Sequence, residues 1–249
     1  MTTNLYKYVI VTVLLVSQSA FGQGIQVDTL VLESSEKAEG FSGKTLKFPL
    51  VRAGNLALDS LISRDLVNRL TSNEDQNESL DSALIKWTSN GIVDLDFEVT
   101  YNNHGILSLN MGIEWCNAYC DYWREYFNYS TNSGKWLPID EVIDISGELG
   151  LKIQRDKDSQ YQYHIDELGK LLKEGEIGKE EHDEILERFV ECDRNFMPES
   201  FSIQNDTLKI VETCWLHHSF KPLIPTIEMK YTFEEIQSYL KIRRLLSPD

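Results

Sequence analysis

The sequence predicts an α+β fold in which an antiparallel sheet carries helices packed on it. Three observations point there. Strict apolar-polar alternation over 93–101 (VDLDFEVTY) and 106–113 (ILSLNMGI) brackets Asn-Asn-His-Gly, the tight-turn composition of a β-hairpin. Between 140 and 194 the apolar period changes from two to about 3.6, the spacing of an amphipathic helix. From 200 to 232 the alternation returns, so strands flank the helical block on both sides.

Each element follows in chain order. Residues 25–33 (IQVDTLVLE) and 44–51 (KTLKFPLV) alternate and read as strands separated by the loop SSEKAEGFSG. Over 56–70 (LALDSLISRDLVNRL), Leu58, Leu61, Ile62, Asp65, Leu66 and Arg69 recur at three-and-four spacing, which predicts a helix with one apolar face. The stretch 71–81 (TSNEDQNESLD) is polar and predicts a solvated loop or a helix entry. Phe127 to Tyr129 continues the sheet after the hairpin, and Thr131-Asn132-Ser133-Gly134-Lys135 supplies a second turn before Trp136. Amphipathic helices over DELGKLLKEG and KEEHDEILERFVE break near Gly175 to Gly178. Strands SFSIQ and TLKIVETCW meet at Asn205-Asp206, MKYT follows, and Thr232 with Glu235 forms a capping box that predicts a last helix over FEEIQSYLKI. The most polar composition falls between 71 and 90, which allows two small subdomains, 23–80 and 81–249.

The first residues and the composition bound the setting. Lys7, the nine-residue apolar run YVIVTVLLV and a small polar stretch have the layout of a secretory signal. Ala20 and Gly22 place the cut before Gln23, making 1–22 the signal peptide and the product periplasmic or secreted. The run is about half the roughly 20 residues that span a bilayer, so stable membrane insertion is not expected. The chain carries a net charge of −16, and losing the signal removes Lys7 and makes it −17. Such a surface repels phosphate backbones, which argues against nucleic acid.

Cys116, Cys120, Cys192 and Cys214 form an even set, which in an exported chain reads as two disulfides. Three connectivities are open. Pairing 116 with 120 and 192 with 214 needs the shortest loops. Zinc held by Cys116, Cys120, His217 and His218 would rest on weak ligand spacings, and no metal is assigned.

Several stretches resemble an extracytoplasmic domain family of unknown general function. FPLVRAGNLALDSLISRDLV is similar to its first strand and helix, VTYNNHGILSLNMGIEW to its central hairpin, and FNYSTNSGKWLPIDEVI to the segment after it. FSIQNDTLKIV and IEMKYTFEEIQSYL are similar to its closing part. That domain forms the outer part of RsiV-like, lysozyme-sensing anti-sigma factors and stands beside some peptidoglycan deacetylase domains. The resemblance implies a cell-envelope binding module, met here without an anchor, a cytoplasmic segment or the enzyme. Its partner would be an envelope protein or glycan, for example a lysozyme-like protein or a peptidoglycan fragment. One departure stands out: where relatives carry a Gly-Gly-Ala-His-Gly type loop, this chain has Cys116-Asn117-Ala118-Tyr119-Cys120.

Motifs for a serine-hydrolase elbow, a zinc protease helix, a Walker loop or a dinucleotide fold are absent, so no catalytic residue or cofactor is assigned. Asp94 with Asp96, or Asp140, Glu141 and Asp144, supply the residue type of a glycosidase pair, but 40 acidic residues make chance pairs common. A glycan-acting hydrolase is therefore the alternative. The most distinctive local feature is 115–129 (WCNAYCDYWREYFNY), with seven aromatics in fifteen residues. Rings offer large contact area at small entropic cost. Trp115, Tyr119, Tyr122, Trp123 and Tyr126 are the candidate binding residues of an aromatic, cysteine-bounded loop, with core packing as the competing explanation.

Overall fold

The computed structural model describes residues 24–33, 45–71 and 79–242. The predicted signal peptide at 1–22, the loop at 34–43 and most of the polar stretch at 71–81 lie outside the described residues. Among the described residues no helix is long and apolar enough to cross a membrane.

The fold is α+β, as predicted. Five strands, β1 (Gln26–Glu33), β2 (Thr45–Arg52), β3 (Ile92–Asn103), β4 (Ile106–Cys116) and β5 (Cys120–Ser130), form one sheet in chain order. All contacts are antiparallel except β2 with β3, where Leu46 faces Leu95 in parallel. A parallel contact needs a long crossover. It is made by α1 (Leu56–Thr71) and α2 (Leu80–Thr88), the latter entered from the end of the polar stretch. Ser79 starts α2 by accepting the Ser82 amide at 3.2 Å. Ile62, Leu66 and Leu84 from these helices join Leu46, Phe48, Leu95, Met111 and Phe127 of the sheet in one buried cluster.

The β3–β4 turn uses His104 and Gly105, with φ of 51° and 76°, the left-handed pair of a two-residue hairpin turn. A bulge between Val99 and Tyr101 interrupts the pairing. It sets Thr100 beside Ser108, with the hydroxyls 3.1 Å apart.

After β5 the chain makes the short α3 (Ile139–Val142), then α4 (Glu148–Glu174) and α5 (Lys179–Arg194). Gly175 ends α4 in the left-handed conformation, φ 76°, where the sequence breaks its period. A second sheet, β6 (Phe201–Gln204), β7 (Thr207–Thr213) and β8 (Thr226–Thr232), is antiparallel throughout. A 3₁₀ turn, His218–Leu223, joins β7 to β8. The second core includes Leu149, Ile153, Leu168, Ile185, Phe189, Ile203, Ile210 and Met229.

The predicted final helix is not formed. The capping box is present, with the Glu235 amide donating to Thr232 Oγ1 and the Thr232 amide to Glu235. The chain then runs as successive turns. Leu240 forms a β-bridge with Ile143, and the Lys241 amide donates to Val142. Those backbone bonds need extended geometry that a continuing helix would forbid.

Gly91 shows how tightly the α2–β3 turn meets β4. Its φ is +95°, its carbonyl accepts the Cys116 amide at 2.8 Å, and an added Cβ would lie 2.8 Å from the Cys116 carbonyl oxygen. Gly54, φ +75°, has open space instead. Gly54→Ala is therefore expected to cost about 1 kcal/mol and Gly91→Ala about 3 kcal/mol. Matching urea midpoints for the two variants would refute the close approach.

Candidate functional site

The stretch 115–129 is a hairpin, not a loop. Trp115 belongs to β4, and Tyr122, Trp123 and Tyr126 belong to β5, leaving only Asn117, Ala118 and Tyr119 in the turn. Dense aromatics at both parities hid the alternation that would have announced β5. Cys116 and Cys120 face each other in register and form a disulfide with a Cα separation of 4.0 Å. Cys192 and Cys214 form the other, joining α5 to the end of β7 at 5.7 Å. The pairing is the one with the shortest loops.

Strand geometry separates the five aromatic candidates. Trp115 donates from Nε1 to the Asn90 carbonyl at 2.6 Å, which ties β4 to the turn after α2. Tyr119, 61% exposed, stacks on His218 with centroids 4.3 Å apart. Beside it Lys221 pairs with Asp121 at 3.2 Å and donates to the Cys120 carbonyl. His217 and His218 thus lie beyond β7, on the 3₁₀ segment that meets the hairpin tip. Of the cysteines and histidines weighed as a zinc set, only the two cysteines come together among the described residues, with Glu114 beside them instead of a histidine, and both sulfurs are spent in the disulfide and offer no thiolate.

Tyr122 leans over Gly112, whose missing Cβ leaves room for the phenol oxygen and the Asp96 carboxylate. Arg124 lies 5.9 Å from its ring. Trp123 and Tyr126, three positions apart on β5 and so on opposite faces, both reach one cleft at the outer edge of that strand.

That edge borders a cleft of about 360 Å³, lined by Arg69, Trp123, Glu125, Tyr126, Trp136 and Glu199 among others. Arg69 stacks over Trp136 at 4.2 Å and is held by Asp65 at 2.7 Å. Asp65 also accepts the buried Tyr129 hydroxyl at 2.9 Å, so α1, β5 and the segment after it share one network. Burial pushes the Tyr129 phenol well up, which keeps it a donor. Desolvation raises the Glu125 carboxyl, against the hydrogen bond from Trp123, although the residue as a whole is exposed. Burial similarly raises Tyr126, with the Glu228 charge adding to it.

Arg69, Glu125, Trp136 and Glu199 escaped sequence reasoning as site residues. A signal existed for the first: Asp65 and Arg69 sit on the apolar stripe of α1, where charges need partners. Glu199 comes from a distant segment with no local mark. The acids proposed from sequence are elsewhere. Asp94 and Asp96 share one sheet face, while Asp140 and Glu141 are exposed on α3. Asp144 is lowered by accepting from the Ser146 hydroxyl and amide.

No protein-family model matches the chain, and no curated protein matches it. Among solved structures it is similar to a member of the DUF3298 family from Bacteroides fragilis. That match has a TM-score of 0.53 and 11% identity, over 88% of this chain and 95% of that one. A DUF3298 family protein from Pseudomonas aeruginosa gives 0.51 and 14%, over 92% and 100%. The chain shares the DUF3298 fold. At this identity the likeness is one of fold, and it agrees with an uncharacterised domain family.

The disulfides differ in what they enclose. Cys192–Cys214 closes a 22-residue separation and Cys116–Cys120 one of four. In the chain-entropy account the double Cys→Ser variants are expected to lose about 3 and about 2 kcal/mol respectively. Urea unfolding of each variant checks the order, and a larger loss at the hairpin tip would contradict it.

Proposed function

We propose that the protein is an exported, non-enzymatic binding module that holds a glycan segment in the cleft beside β5. The observation that carries the reading is the pairing of rings with charged groups in one concave site: Trp123, Tyr126 and Trp136 beside Arg69, Glu125 and Glu199. Sugar faces are apolar and their rims are hydroxyls, so flat rings and fixed donors and acceptors together suit them. The resemblance to envelope-associated domains supports the same class of ligand, and two disulfides fit an oxidising compartment.

A glycan-cleaving reading has one observation in its favour: the cleft contains two carboxyls, and that of Glu125 is raised by burial, as a general acid requires. Release of reducing ends from peptidoglycan or chitin fragments, abolished in Glu125→Gln, would favour it over binding alone.

Titration of peptidoglycan fragments and chitooligosaccharides, followed by tryptophan fluorescence, tests the main reading. Trp123→Ala and Trp136→Ala are each expected to weaken binding about tenfold. Tyr119→Ala, at the tip against His218, is expected to leave it unchanged. Equal affinities for all four proteins would exclude the cleft. Selective recovery of an envelope protein by the wild type in a pull-down, without glycan binding, would make the cleft a protein groove instead.

A further inference from the structure

Five buried side-chain oxygens among the described residues lack an aligned hydrogen bond, and three of them, Tyr161 Oη, Asp193 Oδ1 and Glu212 Oε2, gather around one lysine. Lys157 lies on α4 with its side chain only 1% exposed. Its Nζ is 2.6 Å from Asp193 Oδ1, a contact without hydrogen-bond alignment, and donates to the Asp193 carbonyl at 2.8 Å. Phe196 lies 5.3 Å and Tyr161 6.0 Å from Nζ, and the Tyr161 hydroxyl faces Glu212 on β7. Asp158 is farther, at 3.3 Å, and more exposed.

A lysine from a neighbouring helix set against the C-terminal end of α5 has an ordinary role, donating to a last-turn carbonyl. That role accounts for the contact with the Asp193 carbonyl. It does not account for the carboxyl and phenol groups collected on the side of Glu212. Holding the ammonium here is also costly, because Lys157 loses nearly all its water while Asp193, with 38% of its side chain exposed, keeps part of its own. Joining the two groups into a neutral amide removes both charges at once.

We propose that Lys157 and Asp193 condense into an intramolecular amide, with Glu212 carrying the proton between them. One proton passes from the ammonium to the Asp193 carboxylate, leaving an amine and a carboxylic acid. Nζ attacks Cγ of Asp193 and the N–C bond forms. A second proton leaves nitrogen through Glu212 to the departing hydroxyl, the C–O bond breaks, and one water is released. Ammonium plus carboxylate becomes amide plus water, with no change of oxidation state. Burial raises the Glu212 carboxyl, which favours its taking up a proton, and the neighbouring Tyr161 phenol is itself pushed up by burial. Fixed proximity supplies the rest, since oriented intramolecular reactions reach effective concentrations of about 10⁵ M or more. The product would bind α4 to α5 next to the Cys192–Cys214 disulfide, locking both helices and β7 at one node.

Mass spectrometry of the purified wild-type chain, reduced and alkylated, tests this. The expected mass is one water below that calculated for the mature chain with its four cysteines alkylated, and digestion is expected to yield a single branched peptide holding both Lys157 and Asp193. Asp193→Ala is expected to regain the full mass, and folded Glu212→Gln to convert at least tenfold more slowly. Recovery of Lys157 and Asp193 from the wild type in separate, unlinked peptides would overturn the proposal. Loss of water located at any other residue would overturn it equally, and both readings stand on the wild type whatever the variants do.

Discussion

The rest of the structure depends on how the free edge of β6 is satisfied. β7 takes one side of this four-residue strand, leaving the Phe201 carbonyl and the Ile203 amide turned away from the small sheet. Unpaired backbone groups cannot be buried without partners, and an open edge invites another chain. Here the partners are side chains on the face of the large sheet. Asn128 donates to Phe201 at 2.8 Å, and Ser108 accepts from Ile203 at 3.1 Å. Thr100, turned there by the β3 bulge, meets Ser202 at 3.0 Å. Ser108, Asn128 and Ser202 are all buried, so this polar seam works in low dielectric, where a lost partner costs most.

The seam explains what could and could not be read from the sequence. Alternation in β3 and β4 gave the hairpin, and the Asn-Asn-His-Gly turn fixed its register. The same alternation assigns Ser108 and Asn110 to solvent, yet nearly all of β4 is buried, because the small sheet covers its polar face. Pattern reports local period, whereas which face is covered depends on a strand almost a hundred residues away. The last segment shows the converse. Its capping box is real, but propensity over ten residues is weak, and the bridge from Leu240 to Ile143 overrides it. The cleft was legible in part: Trp123 and Tyr126 announced themselves by composition, while Glu199 acquires meaning only once β6 is seated beside β5.

The hairpin of β4 and β5 is fixed at both ends. At the β3–β4 turn end the seam holds it under β6. At the tip, Tyr119 rests on His218 and Lys221 pairs with Asp121, both residues of the 3₁₀ segment. That segment is itself fastened to α5, through Arg188 to the Trp215 carbonyl at 3.0 Å and through Cys192–Cys214. A hairpin attached at two points along its length has little freedom to twist. Its outer edge is therefore a rigid wall for the cleft, and rigid walls lower the entropic cost of binding.

This attachment also gives a physical sense to the paired cysteines at the tip. A three-residue turn of Asn117, Ala118 and Tyr119 has no glycine to adopt left-handed conformations cheaply. The disulfide between the facing Cys116 and Cys120 closes the turn covalently instead, and the Asn117 amide donates to the Tyr119 carbonyl at 3.0 Å within it. Closure leaves Tyr119 directed at His218 rather than at a ligand. Trp115, bonded to Asn90, is likewise committed to the fold. The aromatic cluster that dominates the sequence thus divides by position into rings held by the fold, Trp115 at Asn90 and Tyr119 at His218, and rings, Trp123 and Tyr126, that border the cleft beside Trp136 and Arg69.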